Sequence, residues 1–363
     1  MKVEFNVLDR QFKEFQEDYE AAALRALRSG WYILGQELEA FESEYAAFSE
    51  IPYCVGVNSG LDALILAIQA LGIGPGDEVI VPANTFIASV LGITANGAVP
   101  VFVEPDRYYN LDASLIEQAI TPRTKAILAV HLYGQAANMA PICAIAKRYK
   151  LYLIEDCAQA HTARFNGKQV GTFGDIGCFS FFPTKNVGAF GDAGCIVTAS
   201  IDLAEKVRTL RNYGSKIKYV NELEGSNSRL DELQAALLRA KLPHVPKLIA
   251  QRRYIAERYL KGIKNPNIIL PYIRSGAEHV WHLFVIRTQN RQSFIPYMEA
   301  CGIHVQIHYP IPPHLAPCYQ RLGHKIGAFP LTESYADTVV SLPLYNGMTD
   351  DEIQYVINAI NQW

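Results

Sequence analysis

The sequence predicts an α/β protein with a large domain over residues 1–250 and a smaller C-terminal α/β domain over residues 251–363. Three observations carry that expectation. At 363 residues the chain exceeds what one small core organises. Between about residues 50 and 200, short β-rich runs alternate with helical segments, the pattern of a mainly parallel sheet covered by helices on both faces. Pro243 and Pro246 then break a helix-rich stretch from Arg229 to Ile263, which puts the domain boundary near residue 250.

The strand candidates of the first domain are Glu78-Val81, Val99-Val103, Ala126-Val130, Leu151-Ile154, Cys178-Phe181 and Cys195-Thr198. Several are continuous apolar runs, as strands buried on both faces require. A further strand through Cys54 to Val57 passes by a Ser-Gly turn into an apolar helix that ends near Gly72. The second domain offers a strand (Val280-Ile286), a helix (Gln292-Ala300), a strand (Ile303-His308), a Pro-rich loop and a terminal helix. Thr349-x-x-Glu352 has the form of a capping box for that last helix.

Composition removes several function classes. A formal net charge of -3 gives no basic footprint for nucleic acid. The N-terminal MKVEFNVLDRQFKEF carries charges throughout, and no apolar run reaches the ~18 residues of a membrane span, so a cytoplasmic protein without membrane partners is expected. The seven cysteines include no C-x-x-C pair, and Cys157, Cys178 and Cys195 lie in apolar runs, which suits buried thiols better than disulfides or zinc.

Three features could carry chemistry. Lys185 stands between the aromatic stretch Phe179-Ser180-Phe181-Phe182 and the glycine-rich Val187-Gly188-Ala189-Phe190-Gly191, either as a snorkelling surface cation or as a nucleophile held as an amine. Glu155 and Asp156 end a buried strand, where open α/β sheets bind ligands. Strand alternation sends the two carboxylates to opposite faces, so they do not form a glycosidase-type pair, and Asp156 is either a site residue or a helix cap. Ser59-Gly60 opens a helix whose free N–H groups suit a phosphate, although Ser59-x-x-Asp62 also reads as a plain capping box.

Taken together, a lysine, a buried-strand aspartate and a phosphate cradle have one economical explanation, an aldehyde cofactor with a phosphate tail and a ring nitrogen: pyridoxal phosphate. The lysine binds the aldehyde, and the aspartate keeps the ring nitrogen protonated. An unperturbed lysine titrates near ~10.4, leaving on the order of one in a thousand as free amine at neutral pH, so burial must lower that value.

Two further segments stay open. Ile303, Val305 and Ile307 alternate with His304, Gln306 and His308, giving a polar face that is either an anion site or an exposed edge, without the carboxylate or cysteine a zinc site needs. Arg208, Arg211, Lys216 and Lys218 around Asn212-Tyr213-Gly214 are either a solvated helix end or a basic site.

These residues resemble the nucleotide-sugar aminotransferases of the DegT/StrS class, which have the fold-type-I architecture: a large domain on a mixed, mainly parallel seven-stranded sheet plus a smaller C-terminal domain. The resemblance runs from Ser29-Gly30-Trp31-Tyr32 to Ser341-Leu342-Pro343-Leu344, and is most specific at Glu155-Asp156-Cys157-Ala158-Gln159-Ala160-His161, Ser180-Phe181-Phe182-Pro183-Thr184-Lys185-Asn186 and Asn227-Ser228-Arg229-Leu230-Asp231-Glu232. It implies Lys185 as the imine-forming catalytic lysine, Asp156 on the ring nitrogen, Gln159 near the ring hydroxyl and Phe86 stacked on the ring. The Gly60 and Leu61 amides and Ser180 are implied on the phosphate. Asn227 is implied to reach the phosphate of a neighbouring subunit, making a homodimer with active sites at its interface.

Leu61 stands where many members have Thr, so only its backbone amide serves. Asn186-Val187-Gly188, Asn212-Tyr213-Gly214-Ser215, Val280-Trp281-His282-Leu283-Phe284 and His308-Tyr309-Pro310 look most like enzymes that aminate C3 of dTDP-3-oxo-6-deoxyhexoses, with L-glutamate as donor and pyridoxamine phosphate as the intermediate cofactor form. Lys218, Tyr219, His308 and Tyr309 are the implied contacts to the substrate diphosphate. A UDP-linked 3-keto-N-acetylhexuronic acid, a 4-keto-sugar, or a catalytically silent regulatory relative are the alternatives.

Overall fold

The computed structural model describes residues 1–363. Seven strands form the central sheet: β1 (Tyr53–Val57), β2 (Glu78–Pro82), β3 (Val99–Val103), β4 (Thr124–Val130), β5 (Tyr152–Asp156), β6 (Ile176–Ser180) and β7 (Gly194–Thr198). Their order is β1-β7-β6-β5-β4-β2-β3, with β7 antiparallel to both neighbours and every other pair parallel. The strands expected from apolar runs are present with ends moved by at most two residues, and β5 extends far enough for Asp156 to belong to it.

Alternation along each strand splits the interior into two cores. Ile80, Ile127 and Ala129 join a cluster of 38 buried residues, whereas Val79, Val81, Ala126 and Leu128 join one of 35, so neither face of the sheet meets water. A third core of 22 buried residues holds Val3 and otherwise only residues from Ile255 onward. The N-terminus enters it through a parallel bridge from Val3 to Ile303.

Several expectations are corrected. Pro243 and Pro246 do not break a helix so much as begin new ones. Helix Glu232–Lys241 gives way to the 3-10 turn Leu242–His244 and then to helix Val245–Gly262, with each proline in the first turn, where a missing N–H costs no hydrogen bond. The strand expected over 280–286 starts only at Phe284 and runs to Arg287, paired with Val339–Leu342. Upstream of it, Val280 N donates to Gly134 O and Leu283 N to Tyr133 O, which ties the segment to the 3-10 turn Leu132–Gly134 that follows β4 instead.

Residues 303–308 form no strand and make isolated bridges only, at Ile303 and Gln306, although Ile303 is buried and His304 exposed as the alternation requires. Arg211 is no surface residue: it is buried and bonds the Glu42 carboxylate and the Gly56 carbonyl. At helix Gly60–Ala70 only half of the expected capping box exists. Ser59 Oγ accepts from Asp62 N at 3.1 Å, but the Asp62 carboxylate accepts from Ser228 Oγ at 2.9 Å. The box at Thr349 and Glu352 is complete. No helix is long and apolar enough to cross a membrane.

Candidate active site

The site lies where strands end. Because β7 reverses direction between β1 and β6, the carboxyl ends of β1, β2, β4, β5 and β6 all emerge on one edge of the sheet, the position at which open α/β sheets bind ligands. Gly60, Leu61, Phe86, Asp156, Gln159, Ser180, Lys185, His308 and Tyr309 line one cavity of about 450 Å³ there.

Two glycines set the spacing of its floor. A Cβ on Gly60 would lie 2.4 Å from the Ser180 Cβ, and one on Gly194 would lie 2.4 Å from the Ser59 carbonyl carbon. Only glycine lets the start of helix Gly60–Ala70 sit against β6 and β7. The Gly60 and Leu61 N–H groups belong to the first turn, which has no intrahelical acceptors, so the positive end of the helix dipole lies beside Ser180.

Asp156 and Glu155 divide as alternation demands. Asp156 faces the cavity, accepting from Ser89 Oγ at 2.7 Å and from Ala158 N at 3.1 Å. Glu155 faces the opposite core, fully buried, and accepts from His131 Nε2 at 3.0 Å, Gly171 N at 2.8 Å, Phe173 N at 2.7 Å and Gly174 N at 2.8 Å. His131 Nδ1 accepts from Ala137 N at 3.0 Å, so its other nitrogen carries the proton. Cys157 lies beside this pair, but the carboxylate and imidazole lone pairs are already committed, and the cluster is structural rather than metal-binding.

Gln159 is fixed at both ends: its Oε1 accepts from Tyr133 N at 2.7 Å, and its Nε2 donates to the Tyr309 hydroxyl at 3.0 Å. The Tyr133 hydroxyl in turn donates to the His308 carbonyl. Phe86 is 47% exposed on the cavity wall, with its ring 5.0 Å from that of Tyr309. So large an open aromatic face beside polar groups is a platform for a planar ring.

Lys185 follows a tight turn closed by its N–H on the Phe182 carbonyl, and the next residue is tied down by Asn186 Nδ2 on Val280 O at 2.9 Å. Its amine opens on the cavity, while protein surrounds it closely enough that burial drives its pKa down to about 8; the Asp156 charge opposes that fall. The nearby imidazoles are neutral. Burial first, and the Lys185 charge second, take His161 down to about 3 and His308 to about 4.

Asn227, Lys218 and Tyr219 stand apart from this cavity. Asn227 is exposed and bridges to Asn212, and Lys218 and Tyr219 are exposed at the tip of the hairpin Ser215–Ile217 with Val220–Asn221. Sequence reasoning missed Ser89 and Tyr133, which bond to site residues, and His282 and Asp192, which line the cavity. Ser89 lies three residues after Phe86, one helical turn, which is the signal that could have found it.

The residues fit a phosphorylated aromatic aldehyde: a cradle that a Cβ would fill, an amine of lowered basicity, a carboxylate aimed at the cavity and an open aromatic face. That combination, on this sheet, defines a pyridoxal-phosphate-dependent aminotransferase. Residues 13–361 match the DegT/DnrJ/EryC1/StrS aminotransferase family, and the chain belongs to it. It is 51% identical over 350 residues, 96% of each chain, to the dTDP-3-amino-3,6-dideoxy-alpha-D-galactopyranose transaminase of Aneurinibacillus thermoaerophilus. It is 47% identical over 364 residues, covering 100% of this chain and 96% of the other, to the dTDP-3-amino-3,4,6-trideoxy-alpha-D-glucose transaminase of Streptomyces venezuelae. The X-ray structure of S. venezuelae DesV in complex with a ketimine intermediate superposes with a TM-score of 0.98 at 47% identity, covering 100% of this chain and 98% of that one.

Proposed function

We propose that this protein transfers an amino group from L-glutamate to C3 of a dTDP-linked 3-oxo-6-deoxyhexose, giving a dTDP-3-amino-3,6-dideoxyhexose for glycan or glycoside assembly in the cytoplasm. The observation that carries the reading is the Lys185 amine, its pKa lowered to about 8, on a cavity shared with Asp156, Ser180 and the Gly60 helix start. Two relatives that match over nearly the full chain, at 51% and 47% identity, are named as transaminases of dTDP-3-amino sugars, and that supports dTDP and C3 over the alternatives.

When bound, pyridoxal phosphate supplies an aldehyde that takes up the amino group and a ring that accepts electrons from the neighbouring carbon. Lys185 holds the cofactor covalently at rest. Once released, its Nζ would take the proton from the carbon that bears the donor's amino group and deliver it to the former aldehyde carbon, and would carry a proton the opposite way when the sugar accepts the amine. Asp156 holds the proton on the ring nitrogen, Gln159 Nε2 has a second N–H free for the ring hydroxyl, and Phe86 covers one ring face. The Gly60 and Leu61 amides and the Ser180 hydroxyl bind the phosphate.

His308 and Tyr309 are assigned to the substrate diphosphate. His308 Nδ1 is already paired with Ser341 Oγ at 2.8 Å, so Nε2 is the nitrogen left for substrate. Asn227, Lys218 and Tyr219, exposed outside the cavity of their own chain, are assigned to the site of a neighbouring copy in a homodimer. Residues 1–250 and 251–363 are taken as the cofactor-binding and small domains, with helix Val245–Gly262 spanning the junction.

The decisive experiment incubates purified protein with L-glutamate and, separately, dTDP- and UDP-linked 3-keto- and 4-keto-sugars, and reads the aminated position by NMR. Amination at C3 of the dTDP sugar is expected. Amination of a UDP sugar alone, or at C4, overturns the substrate assignment. Turnover by Lys185→Ala, or failure of borohydride to fix the cofactor on Lys185, overturns the mechanism.

A further inference from the structure

We infer that Ser89 and Thr85 form a two-hydroxyl relay that positions the Asp156 carboxylate and sustains its hold on the cofactor's ring-nitrogen proton; this rests on the assignment of Asp156 given above. The Thr85 Oγ1 and Ser89 Oγ lie 2.8 Å apart, and Ser89 Oγ lies 2.7 Å from Asp156 Oδ2. All three side chains are buried: Ser89 is 0% exposed, Thr85 3% and Asp156 7%.

The direction of the relay follows from donor counting. An ionised carboxylate only accepts, so the single Ser89 proton goes to Asp156, and Ser89 must then accept from Thr85. Each hydroxyl thereby points its positive end at the carboxylate. Hydrogen bonds of this charge-assisted kind strengthen one another in a dry environment. Ala158 N occupies Oδ1, so the carboxylate cannot rotate without losing both partners.

The placement is local in origin. Phe86 precedes helix Ile87–Thr94, with Thr85 on one side and Ser89 one turn on the other, and Ser89 N donates to the Phe86 carbonyl at 3.1 Å. One helix start therefore supplies both the ring platform and the relay, and fixes them relative to each other. The charged and titratable groups around Asp156 are Lys185 from the β6–β7 loop, Tyr309 from the C-terminal segment, and the buried Cys157 and Cys178, with Glu155 turned to the other face. None of them donates a hydrogen bond to Asp156, and the hydroxyl pair is its only side-chain support.

The test loads wild type, Ser89→Ala, Thr85→Val and Thr85→Ser with cofactor carrying 15N at the ring nitrogen. It reads the nitrogen resonance, the pH dependence of the visible absorption band, kcat and KM. In Ser89→Ala the resonance is expected to move toward its unprotonated value at a pH where wild type is fully protonated. Loss of one hydrogen bond to a charged group corresponds to about a ten- to hundredfold fall in kcat, with KM for glutamate little changed.

Thr85→Val is isosteric and should shift the resonance in the same direction by less, whereas Thr85→Ser, which keeps the hydroxyl, should restore wild-type behaviour. The inference is overturned if Ser89→Ala and Thr85→Val bind cofactor on Lys185 and show wild-type resonances and kcat, whatever happens to their melting temperatures. Failure of wild type to bind cofactor on Lys185 would instead sink the assignment of function, and the relay with it.

Discussion

Gln159 and Tyr309 are 150 residues apart in the chain, and the Gln159 amide donates to the Tyr309 hydroxyl at 3.0 Å. Since Gln159 Oε1 is held by Tyr133 N, the orientation of the amide is set from the β4 side and checked from the C-terminal side. Tyr309→Phe keeps the ring against Phe86 and removes only that hydroxyl. The loss of one neutral hydrogen bond is worth about 1 kcal/mol, so cofactor should be released roughly fivefold more readily, which a fluorescence titration of apoprotein would measure. Unchanged affinity would mean that Gln159 does not rely on the small-domain contact.

The apoprotein's capture of pyridoxal phosphate should follow the titration of Lys185. Only the free amine attacks the aldehyde, so the rate should climb as pH approaches about 8 and level off above it, whereas an ordinary lysine would keep climbing toward ~10.4. Asp156 holds the Lys185 value up, because its negative charge favours the ammonium. Asp156→Asn should therefore move the midpoint to lower pH. Stopped-flow absorbance over a pH series reads both midpoints, and a shift to higher pH in the variant would contradict the placement of the two groups.

Charges in apolar runs were legible in the sequence because they are rare there. Lys185 between Phe182 and Phe190, and Asp156 at the end of Leu153-Ile154, announced themselves before any geometry was known, and the burial of the sheet on both faces followed from continuous apolar runs such as Ala126-Val130. Ser89 and Tyr133 were not legible. Their contribution is a hydrogen bond to a residue 67 positions away in one case and 26 in the other; the one-turn spacing from Phe86 is the only local hint for Ser89, and Tyr133 has none. The segment from Val280 to Leu283 looked like strand because it is apolar, but its hydrogen bonds go to Tyr133 and Gly134, a tertiary choice that propensity does not encode. Asn227, Lys218 and Tyr219 came from the resemblance alone: all three are exposed and stand outside the cavity of their own chain, so neither local pattern nor contact within one chain marks them.

Gly60→Ala tests the phosphate cradle. The added methyl would fall 2.4 Å from the Ser180 Cβ and 3.0 Å from its Oγ, and both are attached too close to the backbone of β6 to swing aside. Overpacking of this kind costs about 1–3 kcal/mol, and here it should separate the helix start from Ser180, the two groups assigned to the phosphate. Affinity for pyridoxal phosphate should fall more than affinity for pyridoxal, which lacks the phosphate. Equal losses for the two would place the damage elsewhere.

Lys241 offers a test through stability. It is 3% exposed, its ammonium donates to the Gly188 carbonyl three residues past Lys185, and it lies 5.5 Å from the Tyr19 ring and 5.2 Å from that of Phe190, with no carboxylate partner. Burial first, and the charge of Arg252 second, bring its pKa down to about 8. The native state therefore loses this proton at lower pH than the unfolded chain does, so between about 8 and the ordinary value of 10.5 the unfolded chain binds more protons. Stability contributed by this group must rise with pH across that window, at up to about 1.4 kcal/mol per unit. Lys241→Met removes the titrating group while keeping a long apolar stem. Denaturant unfolding at a series of pH values from 7 to 10 should show a gentler rise, or a steeper fall, in the variant than in wild type. Parallel curves would mean that Lys241 is solvated in solution and does not hold the loop that follows Lys185.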